Sequence, residues 1–278
     1  MLNNKGMKMD KKIIFLDLDG TLTNDEKKIT PKTKEALMDI QKRGHIVALA
    51  SGRPTPGMEF IAKELELEKY GGYVMSFNGG KVLNYATGEV IYDNPLPYEM
   101  IPEIYNTAVR LGLGIIGYDR EYLVSGNGID KYQEYDAWAT KMKLKEVDNF
   151  PVYFENTFNK CLLTGEPDRL REALPEVQEC FADRLNVFLS EEFFIEVLPY
   201  GIHKAAALEN MVKTLGSDRS KLVCCGDGLN DLTMIEYAGV GVAMANSNPK
   251  VLEIADYVTA SNDEDGIVQV IEEFFDYV

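Results

Sequence analysis

Three apolar runs of this sequence each end in a short polar cluster whose residue types could carry out phosphoryl chemistry. The clusters are DLDGT (17–21), SGR (51–53) and GDGLND (226–231). Carboxylates gathered without histidine suit a hard cation, and Mg²⁺ fits them best. Hydroxyl groups, backbone N–H groups and Lys204 are donors of the kind that hold a phosphate.

Such residues could transfer a phosphoryl group through an aspartyl-phosphate. A carboxylate can attack phosphorus only where the charge of the phosphate dianion is neutralised, which Mg²⁺ together with a lysine would do. A second carboxylate can protonate the leaving oxygen and later take a proton from water. Because the aspartates of DLDGT are two residues apart, one strand end could supply both groups.

Each cluster taken alone has an ordinary structural explanation. A DxDG sequence at a strand end is often an acidic turn, and a single lysine is usually an exposed helix residue. GDGLND could be a capped turn or a calcium loop, but an EF-hand requires glutamate at the twelfth position, where this chain has Ala238. The occurrence of all clusters in order, each after an apolar strand, favours one shared site.

The elements that must position these clusters alternate between strand and helix. Continuous apolar runs predict strands over 12–18, 45–51 and 73–80, buried on both faces. The helix after the first strand is expected to have Thr30 at its N-cap and Pro31 at its first position. A further helix is predicted over 56–69.

The same pattern resumes near residue 200. It predicts a helix from Lys204, a buried strand over 221–228, a helix with Asn230 as its N-cap, and a final helix over about 264–276. In an open parallel sheet the carboxyl ends of the strands lie along one edge. The three clusters and Lys204 are therefore expected to converge there.

Between about 81 and 198 the strands become short and alternate apolar with polar residues, which is typical of an antiparallel sheet with one exposed face. Helices are predicted near 98–111, 130–141 and 167–182. The fold class expected is α/β: a doubly wound, Rossmann-like parallel-sheet core with an inserted α+β domain. We expect the core to occupy 1–83 and 199–278 and the insertion to occupy 84–198.

Composition excludes several other classes of protein. The net charge of −16 opposes binding to nucleic acid or to an anionic membrane, and it requires local positive charge at any phosphate site. No apolar run is long enough for a membrane span, and residues 1–10 are expected to form a loose leader without a signal peptide. The four cysteines are expected to be reduced thiols, in keeping with a cytoplasmic location, and the presence of only two histidines argues against a zinc site.

In order and content, the clusters resemble the motifs of the haloacid dehalogenase-like (HAD) hydrolases, specifically the Cof-type subclass IIB phosphatases with a large inserted cap domain. The matching segments are DLDGTL (17–22), ASGR (50–53), FNGG (77–80), Lys204, GDGLND (226–231) and the stretch 241–266. The resemblance covers the chain after residue 11. It implies a Mg²⁺-dependent phosphatase of small phosphorylated metabolites, including sugar phosphates, that works through an aspartyl-phosphate beneath a closing cap.

The resemblance also implies roles for individual residues. Asp17 would be the nucleophile, Asp19 the general acid and base, and Lys204 would hold the transferring phosphoryl group. The expected metal ligands are Asp17, Asp19, Asp227 and Asp231. Of these, Asp19 would bind through its backbone carbonyl, and Asp231 would support the metal site from close by. The residues expected to bind phosphate or substrate are Thr21, Ser51, Gly52, Arg53, Asn78, Asn230 and Asn246.

One departure and several alternatives stay open. Where relatives often have Gly-Val-Ser-Lys-Gly, this chain has GIHKA (201–205), so His203 is either a helix-start residue or a substrate contact. A phosphosugar mutase would use the same first steps and return the phosphoryl group to a sugar. A phosphorylatable receiver-like domain is disfavoured by Asp19 and by the insertion, and a non-catalytic binding protein by the presence of every motif residue.

Overall fold

Two β-sheets form the framework of the protein. The computed structural model describes residues 11–154 and 158–275, so the expected leader at 1–10 lies outside the described residues. Its strands are β1 Ile13–Leu16, β2 Ile46–Ala50, β3 Tyr73–Ser76, β4 Lys81–Asn84, β5 Val90–Asp93, β6 Gly114–Tyr118, β7 Tyr122–Ser125, β8 Lys143–Glu146, β9 Cys161–Thr164, β10 Leu185–Glu191, β11 Phe194–Pro199, β12 Leu222–Gly226, β13 Val240–Ala243 and β14 Tyr257–Val258.

The helices cover both faces of the first sheet and pack against the second. They are α1 Pro31–Lys42, α2 Glu59–Glu64, α3 Leu67–Tyr70, α4 Ile101–Arg110, α5 Lys131–Thr140, α6 Phe150–Tyr153, α7 Pro167–Phe181, α8 Lys204–Leu215, α9 Leu232–Tyr237, α10 Pro249–Ile254 and α11 Gly266–Phe274. Among the described residues, no helix has the length and apolar character needed to cross a bilayer.

The first sheet has the order β14-β13-β12-β1-β2-β3-β4-β5 and is parallel from β14 to β3. Strand β1 lies at its centre, where Ile13 pairs with Leu222 on one side and with Ile46 on the other. All four residues of β1 are buried, as expected for a strand covered by helices on both faces. This sheet confirms the α/β, Rossmann-like core.

The second sheet has the order β10-β11-β9-β6-β7-β8 and is antiparallel except for the parallel pair β7 and β8. Its strands all come from the segment between β5 and α8, which we call the cap. The expected helices of this segment appear as α4, α5 and α7. The cap is therefore an inserted α+β layer.

Strands β4 and β5 belong to a different sheet from the one that the sequence pattern suggested. They pair antiparallel, as expected, but at the edge of the first sheet. An edge strand of the core and a strand of an antiparallel insertion have the same alternation of polar and apolar residues, so the pattern could not separate them. The division at 83/84 remains a prediction. Strands β4 and β5, within residues 81–93, pair with the first sheet.

The structure also tests the predictions for the start of α1, for the helix over 56–69 and for the cysteines. Helix α1 begins as predicted, with the Thr30 side chain accepting a hydrogen bond from the Thr33 N–H at 3.2 Å. The helix predicted over 56–69 is instead broken into a 3₁₀ turn, α2 and α3, because Glu66 adopts a left-handed conformation with φ of 50°. The described cysteines are all free, and three of the four are buried.

Candidate active site

A buried lysine joins the ends of three neighbouring central strands. Lys204 is fully buried, and its Nζ donates hydrogen bonds to Asp17 Oδ1 at 2.6 Å, to Asp231 Oδ1 at 2.5 Å and to the Ala50 carbonyl at 3.0 Å. Asp17 follows β1, Ala50 ends β2, and Asp231 follows β12. The carboxyl ends of these strands therefore meet at one ammonium group, as the topology predicted.

Helix α8 presents this lysine at its first position. The exposed side chain of His203 caps the helix, because its Nδ1 accepts a hydrogen bond from the Ala206 N–H at 3.2 Å. The placement favours the helix-start interpretation of His203. With its helix capped from outside, Lys204 extends into the sheet edge.

The charges around Lys204 do not balance. Burial alone would lower the pKa of Lys204, but the Asp17 and Asp231 carboxylates raise it above the usual range, so the ammonium stays charged. Burial, together with the Asp231 carboxylate, raises the pKa of Asp17 well above its ordinary value, although Lys204 opposes the rise. One cation thus faces more negative charge than it can neutralise.

A third carboxylate, that of Asp227, adds to this excess. Its Oδ1 accepts a hydrogen bond from Thr21 Oγ1 at 2.7 Å. Burial raises the pKa of Asp227 to about 6, and the charge of Asp231 contributes to the rise. Gly20, with φ of +81°, lies against this carboxylate, and a Cβ at that position would come within 2.5 Å of Asp227 Oδ2. A glycine is therefore required there on two grounds.

The acidic residues fit a magnesium ion. Asp17, Asp227 and Asp231 each offer an oxygen, and these oxygens lie within 4.8 Å of one another. Asp231 is itself fixed, because its Oδ2 accepts hydrogen bonds from the N–H groups of Asp227 and Gly228 at 3.0 and 2.9 Å. An all-oxygen set with excess negative charge suits Mg²⁺.

The side chain of Asp19 lies with cations instead of with the acidic residues. Arg53 binds it through both Nε and Nη2, at 3.0 and 2.9 Å, and Lys27 Nζ lies 3.0 Å from its Oδ1. Burial on its own would raise the pKa of Asp19, but the charges of Arg53 and Lys27 outweigh it and lower the pKa below the ordinary value. Asp19 is therefore a charged carboxylate at the open side of the site.

The loops after β2 and β3 lie against each other beside Asp17. Buried Ser51 accepts a hydrogen bond at Oγ from the Arg53 N–H at 3.2 Å, and its carbonyl accepts one from the Asn78 N–H at 3.0 Å. Asn78 has φ of 56°, a conformation uncommon for a residue with a side chain. Its Oδ1 accepts a hydrogen bond from Asn230 Nδ2 at 3.2 Å, which brings a third loop to this place.

The contacts of Asn230 and Asn246 differ in detail from the sequence expectations. The prediction of Asn230 as the N-cap of α9 was wrong: Asn230 lies inside a 3₁₀ turn, and its side chain is directed to Asn78. Asn246 is exposed, and its Nδ2 donates to the Gly20 carbonyl at 2.8 Å. It therefore contacts the first loop from outside.

Sequence reasoning missed three charged residues near the site. Lys27 pairs with Asp19, while Lys160 and Glu196 of the cap are buried against the core loops. Glu196 carried a readable signal, since it is the one acidic residue of β11, whose other residues are apolar and buried. Lys27 lies among ordinary polar residues and Lys160 directly precedes an apolar strand, where a lysine is common, so nothing in the pattern distinguishes them.

Comparisons with known proteins identify the family. A family model described as haloacid dehalogenase-like hydrolase matches residues 14–271. A Bacillus subtilis (strain 168) protein named 5-amino-6-(5-phospho-D-ribitylamino)uracil phosphatase YcsE is 31% identical over 268 residues, which cover 95% of this chain and 95% of the relative.

Solved structures agree with this match. A haloacid dehalogenase-like hydrolase from Bacteroides thetaiotaomicron superposes with a TM-score of 0.92 at 40% identity, covering 95% of this chain and 100% of that one. A subclass IIB sugar phosphatase of the same superfamily superposes with a TM-score of 0.79 at 24% identity, covering 95% and 99% of the two chains, which shows the shared fold. The chain belongs to the haloacid dehalogenase-like hydrolases, with the fold of their Cof-type subclass IIB members.

Proposed function

We propose that the protein is a Mg²⁺-dependent phosphatase that hydrolyses small phosphorylated metabolites through an aspartyl-phosphate on Asp17. The observation that carries the proposal is the buried Lys204 ammonium held between Asp17 and Asp231 beside the third carboxylate of Asp227. This arrangement combines a nucleophile, a fixed positive charge and a set of metal ligands at one strand edge. The family match supports the same class of reaction.

Asp17 is the proposed nucleophile. Lys204 holds Oδ1, and among the described residues Oδ2 accepts no hydrogen bond, so this oxygen is free to form the bond to phosphorus. The bond between phosphorus and the leaving-group oxygen breaks as the new one forms. We propose that Ser51 Oγ donates to a phosphoryl oxygen during this transfer, and that Lys204 supplies positive charge to the transferring group.

The proposed ligands of Mg²⁺ are the carboxylates of Asp17 and Asp227, the backbone carbonyl of Asp19, and Asp231 in a supporting position. When bound, the ion supplies positive charge that offsets the repulsion between the phosphate dianion and the attacking carboxylate. The hydrogen bond from Lys204 Nζ keeps the Asp17 carboxylate in place.

Asp19 is the proposed acid and base. In the first step it donates a proton to the leaving oxygen, and the negative charge of a bound phosphate would favour the protonated form. In the second step the carboxylate takes a proton from the water that attacks phosphorus. Arg53 and Lys27, which pair with Asp19, favour the charged form that this second step needs.

The proposed substrates are small phosphomonoesters such as sugar phosphates, acted on in the cytoplasm. A relative at 31% identity is named for a phosphate ester of a ribityl compound, which supports a polyol-like leaving group. We propose that the cap closes over such a substrate and excludes bulk water. Macromolecular polyanions are disfavoured by the net charge of −16.

A phosphosugar mutase is the rival proposal, and product analysis distinguishes the two. The protein is incubated with MgCl₂ and a panel of phosphorylated metabolites, with and without a bisphosphate activator, and free phosphate and phosphosugar isomers are measured. We expect stoichiometric release of phosphate without activator, and its loss with excess chelator. Isomerised phosphosugar without phosphate would contradict a phosphatase, and full activity in chelator would contradict the role of the metal.

A further inference from the structure

We propose that Lys160 and Glu196, two charged residues of the cap, are positioning residues that hold the phosphate-binding loops of the core in their reactive arrangement. The inference rests on the proposed phosphatase function and names residues that the motifs do not include. It assigns the buried ion pair a role in the chemical step, exerted through Gly52 and Asn78.

The pair is buried where burial is costly. Lys160 and Glu196 are 3% and 6% exposed, and Lys160 Nζ lies 3.2 Å from Glu196 Oε1. Lys160 directly precedes β9, and Glu196 lies in β11, which pairs with β9. Replacing such a pair by apolar residues of similar volume is often neutral or stabilising, so stability alone does not account for it.

Both members of the pair extend out of the cap sheet and contact the core. Lys160 Nζ donates to the Gly52 carbonyl at 2.8 Å, and Glu196 Oε2 accepts from Asn78 Nδ2 at 2.9 Å. Gly52 belongs to the loop after β2, and Asn78 to the turn after β3. The ion pair of the cap therefore connects two separate loops of the core.

These two loops carry Ser51 and Asn78, which are proposed to bind the phosphate. The Asn78 N–H donates to the Ser51 carbonyl at 3.0 Å, and the Asn78 amide oxygen accepts from Asn230. A Cβ at Gly52 would lie 3.1 Å from Asn78 Oδ1, so the loops are in close contact. Fixing Gly52 and Asn78 thus fixes Ser51, whose hydroxyl is proposed to hold the transferring group.

Asn78 itself needs such support. Phe77 and Asn78 have φ of 55° and 56°, and two successive non-glycine residues in the left-handed region persist only where surrounding contacts hold them. The Glu196 carboxylate is a charged partner for the Asn78 amide, and it comes from the cap. The loops are therefore in place when the cap rests on the core, which couples closure to the chemical step.

Two other roles for the pair make different predictions. A purely structural pair would affect thermal stability, and activity would fall only as stability falls. A direct substrate contact would affect substrates according to their leaving groups. A positioning role acts on the phosphoryl end, so it should lower the rate equally for different leaving groups.

The experiment compares Lys160→Met, Lys160→Arg and the double variant Lys160→Met with Glu196→Gln, which leaves no unpaired buried charge. The matched control is Glu166→Gln, which removes an exposed cap ion pair between Lys131 and Glu166. For each protein, Tm, kcat and KM are measured with an aryl phosphate and a sugar phosphate. The Kd for orthovanadate with Mg²⁺ is measured as a readout without turnover.

We expect kcat to fall by a factor on the order of 10 to 10² in Lys160→Met and in the double variant, equally for both substrates, since small displacements of reacting groups have effects of this size. Vanadate affinity should fall in parallel, Lys160→Arg should lose less, and Glu166→Gln should match the wild type. The double variant should keep its low kcat even where its Tm returns to that of the wild type.

Several results would overturn the inference. One is kcat within twofold of wild type in folded Lys160→Met, and another is recovery of kcat together with Tm in the double variant. A loss confined to the sugar phosphate would assign the pair to substrate contact instead. If the wild-type protein hydrolyses neither phosphate, the proposed function fails, and the inference fails with it.

Discussion

At the scale of single residues, Asp19 offers the sharpest test of an assigned role. As a general acid it matters most when the leaving group is poor, because an activated aryl oxygen departs without a proton. We predict that Asp19→Asn slows hydrolysis of a sugar phosphate by about 10²- to 10⁴-fold. The first step with an activated aryl phosphate should be slowed far less.

Stopped-flow measurement of aryl alcohol release, compared with steady-state sugar phosphate hydrolysis, provides the check. A burst of aryl alcohol followed by a slow steady state is expected, since Asp19 is also needed for the second step. Small and equal losses on both substrates would show that Asp19 has no role in proton transfer.

The residues whose convergence sequence reasoning could predict are those whose positions follow from topology. Asp17, Ser51 and Asp227 each come directly after a buried parallel strand, so their convergence required only the sheet rule. The partners of Asp19 could not be foreseen in the same way. Lys27 reaches it from an irregular loop, and the contact of Arg53 with Asp19 depends on side-chain conformation, which no periodic pattern encodes.

At the scale of elements, the turn after β1 is shaped around Asp227. We predict that Gly20→Ala displaces the Asp227 carboxylate and weakens Mg²⁺ binding and activity, because the new Cβ would lie 2.5 Å from Oδ2. Gly71→Ala is the matched control: its φ of +79° is nearly the same as that of Gly20, and a Cβ added there would have no atom of the described residues within 4 Å. The left-handed backbone alone should cost each variant roughly 1 to 2 kcal/mol of stability.

Calorimetric titration with Mg²⁺ and measurement of kcat separate the effect on the metal site from the loss of stability. Gly20→Ala should bind the ion at least tenfold more weakly, while Gly71→Ala should bind it as the wild type does. Equal Mg²⁺ affinity in the two variants would mean that close packing against Asp227 is not needed for the metal site.

The start of α8 allows a second element-level prediction. Since His203 caps the helix through Nδ1 and its side chain is exposed, His203→Ala should lower stability by about 1 kcal/mol and leave kcat/KM unchanged. His203→Asn should restore stability, because asparagine is a good N-cap residue. Thermal unfolding and sugar phosphate kinetics test this, and a loss of kcat/KM in both variants would indicate a substrate contact.

Helices and strands were predicted correctly where the sequence carried a complete start or end signal. The predictions failed where one residue's conformation, or a pattern shared by two kinds of strand, determined the outcome. Thr30-Pro31 fixed the start of α1, as both its cap and its first position are typical of helix starts. The break before α3 depends on the left-handed Glu66, a residue that ordinarily continues a helix. Strands β4 and β5 were assigned to the insertion because edge strands of the two sheets share one pattern.

At the scale of the whole molecule, the excess of carboxylates predicts that Mg²⁺ stabilises the fold. A ligand that binds only the folded protein at a hundredfold excess over Kd adds about 2.7 kcal/mol. We therefore predict a rise in Tm of several degrees with MgCl₂, reversed by a chelator. Asp227→Asn should raise the Tm of the metal-free protein and reduce the effect of Mg²⁺.

This stabilisation should depend on pH in a definite direction. The pKa of Asp227 is raised from 3.8 to about 6 in the folded protein, so its ionisation destabilises the metal-free fold as the pH rises through that window. Protons compete with Mg²⁺ below about pH 6, and the rise in Tm should be larger near pH 7 than near pH 5. An equal rise at both values would show that Asp227 does not titrate in competition with the metal.

The covalent intermediate on Asp17 is the point on which the proposed function depends most. The direct measurement is rapid acid quenching of Asp19→Asn with an activated aryl phosphate, followed by mass spectrometry of the peptides. We predict the added mass of one phosphoryl group on the peptide that contains Asp17, and its absence when Asp17 is also replaced by asparagine. Release of aryl alcohol without labelled Asp17, or label on another residue, would contradict the mechanism.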